Sequence, residues 1–215
     1  MLADAGVDVI FFDVTNTFTY RKVYMKVCSV FDEIRREGGA TPQIAFLTHT
    51  KSVATTRKLY EEFYSKNLYP DLWFRWKGKP LILADLAGHS KQVRDFFNIR
   101  FSLAWQDQDQ DTWNWIDRYP QRYGWHESPL KPEQISVSVA SHPTNNTGRS
   151  FHEGEQPPIN KYDLTGKQDL GLHFAEQWRR ALEIDPELIF VTGWNEWVAQ
   201  RFIAPEKERP AFLGS

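Results

Sequence analysis

Cysteine is almost missing from this chain. Cys28 is the single one among 215 residues, so no intrachain disulfide can form. It lies among apolar residues of a helical pattern and reads as a small buried hydrophobe. Charge of one sign is missing too: the formal net charge is −2, the sequence pI is about 6.3, and no segment carries a basic stripe. That excludes the electrostatic footprint of a nucleic-acid binder. No apolar run is long enough to cross a membrane. The start, Met1-Leu2-Ala3-Asp4-Ala5-Gly6, carries an acid where a signal peptide needs a basic segment, and resembles the last turn and terminal glycine of a helix that begins earlier. No closely spaced His-x-His or His-Glu-x-x-His pattern occurs, so no metal and no cofactor is expected. Internal repeats and low-complexity tracts are absent as well. Scarce cysteine fits a cytosolic protein and a bacterial secreted one alike. For the full-length protein the expectation is a secreted or periplasmic bacterial location.

What is present is 41% apolar content, enough for one globular domain over residues 1–215, and an alternation of strand-like and helix-like segments. Val7–Phe12 reads as a strand ending at Asp13, and residues 22–37 as a helix with Val23, Val27, Val30, Phe31 and Ile34 at helical spacing. Gln43–Thr48 is a second strand ending at His49, followed by a helix over 53–64 with Leu59 and Phe63 inward. Trp73–Trp76, a Lys77-Gly78-Lys79 turn and Pro80–Ala84 read as a short strand leading into a longer one that ends at Asp85. A helix over 91–97 leads to Phe101–Trp105, and a Trp- and Tyr-rich stretch leads to Gln134–Val139. The last helix, over 167–183, places Leu172, Ala175, Trp178 and Leu182 on one face before the strand at Leu188.

About six β/α units follow from this count, the pattern of a (β/α)8 TIM-type barrel, which takes roughly 250 residues and eight strands. The expectation is therefore a partial barrel, a piece of a longer enzyme lacking an N-terminal strand and a further strand and helix past Ser215. An open sheet closed by a partner chain is the structural alternative.

In such a barrel the positions just past each strand converge on one mouth: Asp13, Asn16, His49, Asp85, Trp105, Asp107, His142 and Glu196. The richest is Leu188–Trp197, where a buried-type strand runs into Gly193, Trp194, Asn195, Glu196 and Trp197. Flat indoles cover the C–H face of a sugar while an amide and a carboxylate take its hydroxyls. An acid between two indoles also has its pKa raised, as a general acid requires. Glycoside cleavage needs a second carboxylate, for which Asp13, Asp85 and Glu153 are candidates. Asp13 and Asp85 have the duller alternatives of capping the helices that follow or pairing with a neighbouring cation, and Asp107, Asp109 and Asp111 that of a solvated loop. The long loop after Val139 brings His142, Arg149, His152 and Glu153, and is too long for a mere connector.

Three segments carry a resemblance. Lys77-Gly78-Lys79-Pro80-Leu81-Ile82-Leu83 resembles a "Gly-Lys-Pro then strand" segment, Asn145–Arg149 is similar to an Asn-Thr-x-Arg loop, and Trp194-Asn195-Glu196-Trp197 resembles an Asn-Glu-Trp at the end of a late barrel strand. Together they resemble the bacterial carbohydrate-active (β/α)8 barrels around glycoside hydrolase families 71 and 99, including the WbsX-like proteins. The resemblance implies a catalytic role for Glu196. In the family 99 pattern a second glutamate stands three residues later, where this chain has Ala199, so the partner carboxylate comes from elsewhere or is lacking.

The resulting expectation is a glycosidase acting on a poly- or oligosaccharide. Its catalytic set is drawn from Glu196, Asp13, Asp85 and Glu153, and its sugar contacts from Trp194, Trp197, Asn195, Trp105, Asn16, His49, His142 and Arg149. The competing expectations are a non-catalytic carbohydrate-binding barrel and a metal-dependent hydrolase or deacetylase using His49, His142 and an aspartate.

Overall fold

A computed structural model describes residues 2–104, 110–117, 119–139 and 170–194, together with the backbone of 200–203 and 210–213. The chain is an α/β protein whose two larger sheets are built on parallel pairing. It divides into two compact units, Met1–Ser102 and Leu103–Ser215.

In the first unit, Ala3–Ala5 form a single 3-10 turn closed by Gly6 in the left-handed region at φ 78°, its N–H donating to the Ala3 carbonyl. Strand β1 (Val9–Asp13) follows, then helix α1 (Arg21–Arg36), β2 (Gln43–Leu47) and α2 (Ser52–Leu59). The short strand β3 (Arg75–Trp76) precedes β4 (Lys79–Leu83), α3 (Lys91–Phe96) and β5 (Asn98–Arg100). Strands β1, β2, β4 and β5 run parallel, in that order, and β3 pairs antiparallel with the start of β4. Lys77 and Gly78 close that hairpin with φ of 48° and 88°, the paired left-handed geometry that a two-residue turn needs to match strand twist.

Apolar β2 and β4 are buried almost throughout, as strands covered on both faces should be. Above β2, Tyr24 of α1 meets Phe46 edge-on at 5.2 Å and Phe63 at 5.3 Å, while Tyr64 meets Phe97 at 4.7 Å. These offset geometries suit the ring quadrupoles. The turn at Tyr60–Tyr64 widens to a π-helix, which brings both Phe63 and Tyr64 into the core. Leu59 and Phe63 point inward as expected.

Two expectations need correction in this unit. On α1 the buried residues are Tyr24 and Cys28, with Met25 and Phe31 half-buried against the same core, and Val23 and Val30 are exposed. The strand expected at 101–105 lies earlier, at Asn98–Arg100, where it pairs with Leu81–Leu83. Arg100 is fully covered there and donates to the Asn98 side chain at 2.6 Å, so a polar residue occupies a strand position that apolar patterning passes over.

The second unit holds β6 (Tyr123–Gly124), β7 (Gln134–Ser138), α4 (Leu172–Ile184), β8 (Leu188–Thr192) and an antiparallel backbone pair, β9 (Gln200–Ile203) and β10 (Pro210–Leu213). Strands β7 and β8 are parallel over five residue pairs and β6 is antiparallel to β7. The buried face of α4 matches only in part the one its apolar spacing predicts, since Trp178 is half-buried against the cluster of Ile135, Val137 and Ala181. His173, Glu176, Gln177 and Ala181 are buried, and Ala175 and Leu182 face solvent. A polar partner on β7, Ser138, draws Gln177 inward. Among the described residues no helix is long and apolar enough to cross a membrane.

Candidate functional site

The carboxyl ends of β1, β2 and β4 lie side by side at one edge of the first sheet, and the residues that leave them are Asp13, His49 and Asp85. Hydrogen bonds fix this edge. Val14 donates to the Leu47 carbonyl at 2.9 Å, Thr48 to Leu83 at 2.8 Å and Ala84 to Arg100 at 2.8 Å, continuing the ladder one step past the strands. Behind it stands a buried relay of hydroxyls. Thr48 Oγ1 donates to the Leu83 carbonyl at 3.1 Å, so its one proton is spent and Ser52 must donate to it across 2.7 Å. Ser52 Oγ then accepts the Asp85 N–H at 2.9 Å. One proton chain thus ties the end of β2, the start of α2 and the end of β4, and holds the His49 and Asp85 backbones in register. The i, i+4 spacing of Thr48, Ser52 and Thr56 was its sequence signal.

Asp13 is exposed and its Oδ1 accepts the Thr15 N–H at 2.9 Å; Asn16 Oδ1 accepts the Phe18 N–H at 3.1 Å and its amide donates to Tyr20 Oη at 2.7 Å. Neither carboxylate caps a helix. The residue before α1 is Tyr20, with no side-chain cap, and the cap of α3 is Ser90, whose Oγ accepts the Val93 N–H at 3.3 Å. Helix capping, one of the two structural roles open to Asp13 and Asp85, is thereby removed for both. Asp85 instead presents its carbonyl to His89 Nε2 at 2.7 Å. A carbonyl only accepts, so His89 carries its proton on Nε2. His49 is exposed, and its carbonyl accepts the Ser52 N–H at 3.0 Å.

In the second unit the equivalent ends are Ser138 on β7 and Thr192 on β8, paired in register. Gln177 of α4 clips the first of them. Its Nε2 donates to the Ser138 carbonyl at 2.9 Å, and its Oε1 accepts the Ser138 N–H at 3.0 Å and hydroxyl at 3.3 Å. The same amide touches His173 Nε2, and Gln121 Nε2 bridges the Ser136 and Gln177 carbonyls at 3.0 and 3.1 Å. Buried amide groups thus satisfy the end of β7 past its short pairing with β6, which accounts for His173 and Gln177 on the inner face of α4. Thr192 donates from Oγ1 to the Trp115 carbonyl at 2.8 Å. Past it, Gly193 adopts φ 79° and Trp194 stands 67% exposed, its indole N–H donating to the Val191 carbonyl at 3.1 Å. Trp194 is therefore a surface ring at a strand end and not a core aromatic. Asp111, expected in a solvated loop, pairs at 2.6 Å with His126 Nδ1.

Asn195, Glu196, Trp197, Trp105, Asp107, His142, Arg149 and Glu153 lie outside the described residues. Among the described residues no three His, Cys, Asp or Glu side chains come together as a metal-holding group. Sequence reasoning missed Phe18 and Tyr20, although an aromatic at every second position after Asn16 was the visible sign. Comparison with protein-family models, with curated proteins and with solved structures found no match to this chain.

Proposed function

We propose that this chain is a carbohydrate-active enzyme of the glycoside hydrolase type, cleaving a glycosidic bond in a poly- or oligosaccharide by carboxylate acid/base catalysis. The observation that carries the reading is the series Asp13, His49, Asp85 at the carboxyl ends of adjacent parallel strands, the edge where α/β folds place their ligands. The exposed indole of Trp194, at the end of β8 and two residues before Glu196, supports it as a sugar platform. In the finer architecture of this proposal the strands belong to a (β/α)8 barrel. Glu196 is the acid/base or nucleophile, and its partner carboxylate is Asp13, Asp85 or Glu153.

A non-catalytic carbohydrate-binding barrel is the second reading, favoured by Ala199 where the family 99 pattern has its second glutamate. The test is release of reducing ends from a panel of plant and bacterial glycans, with and without chelator. Chelator-insensitive turnover is expected. Binding without turnover would move the protein to the second reading, and turnover that vanishes with chelator would give it to metal chemistry.

A further inference from the structure

Phe18 and Tyr20 are large rings left in solvent, 67% and 51% exposed, on the β1–α1 loop that leaves the same strand as Asp13. Their centroids are 6.3 Å apart with planes inclined by 42°. The loop is held in a costly shape: Thr17 and Tyr20 both sit in the left-handed region, at φ 76° and 48°, where residues with a Cβ are uncommon. One side chain secures it, since Asn16 takes the Phe18 N–H and gives its amide to the Tyr20 hydroxyl. The Thr15 carbonyl is anchored to Thr50 N–H at 2.9 Å, fastening this loop to the one that carries His49.

We propose that this loop is a sugar-binding subsite, in which the Phe18 and Tyr20 rings pack on the C–H face of a pyranose and Asp13 and His49 meet its hydroxyls. This rests on the carbohydrate reading above and names a recognition element for it. Size decides the class of occupant. Aromatic side chains bury on the order of 150–250 Å² each, so two rings exposed by half to two-thirds offer a few hundred Å² at most, well below the roughly 800 Å² per side of a stable protein interface. Two rings tied to the Asn16 amide, on the loop that leaves Asp13 and is fastened to the loop of His49, suit one sugar ring.

The test uses cellohexaose, maltohexaose, mannohexaose and xylohexaose as probes, with binding by calorimetry and saturation-transfer NMR and with melting curves. Wild type is expected to bind at least one, and Phe18→Ala and Tyr20→Ala each to weaken it about three- to tenfold with unchanged melting, the scale of a lost aromatic contact. Tyr20→Phe keeps the ring and should retain most of the affinity. Should an alanine variant unfold, Phe18→Leu and Tyr20→Leu provide the same readout. Unchanged affinity in a folded double variant overturns the subsite while leaving a turnover-based hydrolase assignment intact. A double variant that loses glycan binding in a protein showing no turnover keeps the subsite and removes the hydrolase. A wild type that binds none of the four overturns the subsite, as does a double variant whose only change is loss of self-association.

Discussion

Tyr64 carries a hydroxyl into the middle of the first unit, fully buried and without a hydrogen-bond partner among the described residues, and burial pushes its phenol pKa far up. A buried polar group left unpaired costs about 1–3 kcal/mol. Tyr64→Phe is therefore expected to leave stability unchanged or raise it by about 1 kcal/mol in a urea titration, and a loss of 2 kcal/mol would reveal a partner for the hydroxyl. Cys28 is a second case: burial raises its thiol from 9.0 to about 12. A raised thiol means the folded state keeps the proton after the unfolded chain has released it. The corresponding stability is present in full below about pH 9 and is lost as pH climbs toward 12, at about 1.4 kcal/mol per pH unit. Cys28→Ala should show a shallower decline over that window. The native thiol should resist aromatic disulfide reagents at pH 8, and prompt labelling without unfolding would contradict the buried placement.

Gln177 is the point on which the α4–β7 packing turns. Gln177→Ala is expected to cost about 2–4 kcal/mol, because it strands the Ser138 N–H, carbonyl and hydroxyl inside the unit. A loss under 1 kcal/mol would mean water replaces the amide. The β3–β4 turn gives a purely conformational counterpart. A Cβ at Gly78 meets nothing within 4 Å, yet φ is 88°, so Gly78→Ala should cost about 1 kcal/mol through backbone strain alone.

At this scale the alternation of strand and helix was legible: β1, β2, β4, β7 and β8 lie within two residues of the boundaries that apolar runs suggest. What patterning could not show was a strand with Arg100 buried inside it, or a helix whose inner face is His173, Glu176 and Gln177. Arg100 is satisfied by its strand neighbours Asn98 and Ile99, Gln177 by Ser138 on a distant segment, and hydropathy registers neither kind of hydrogen bond.

For the molecule as a whole, the sequence pointed to strand ends as the seat of function, and Asp13, His49 and Asp85 do share an edge. That juxtaposition was readable because each polar residue directly follows an apolar run. The hydroxyl relay behind the edge and the aromatic pair beside it left only spacing signals, Thr48, Ser52 and Thr56 four residues apart and Phe18 and Tyr20 two apart, which gain direction once the backbone places them. The central claim is that the acid in Trp194-Asn195-Glu196-Trp197 does chemistry on a glycosidic bond. It is tested most directly by turnover and binding of Glu196→Gln on a glycan that the wild type cleaves. The amide keeps shape and hydrogen bonding but can neither transfer a proton nor attack, so turnover should fall by at least about a thousandfold while affinity stays within about tenfold. A purified variant that cleaves at near the wild-type rate would contradict the account.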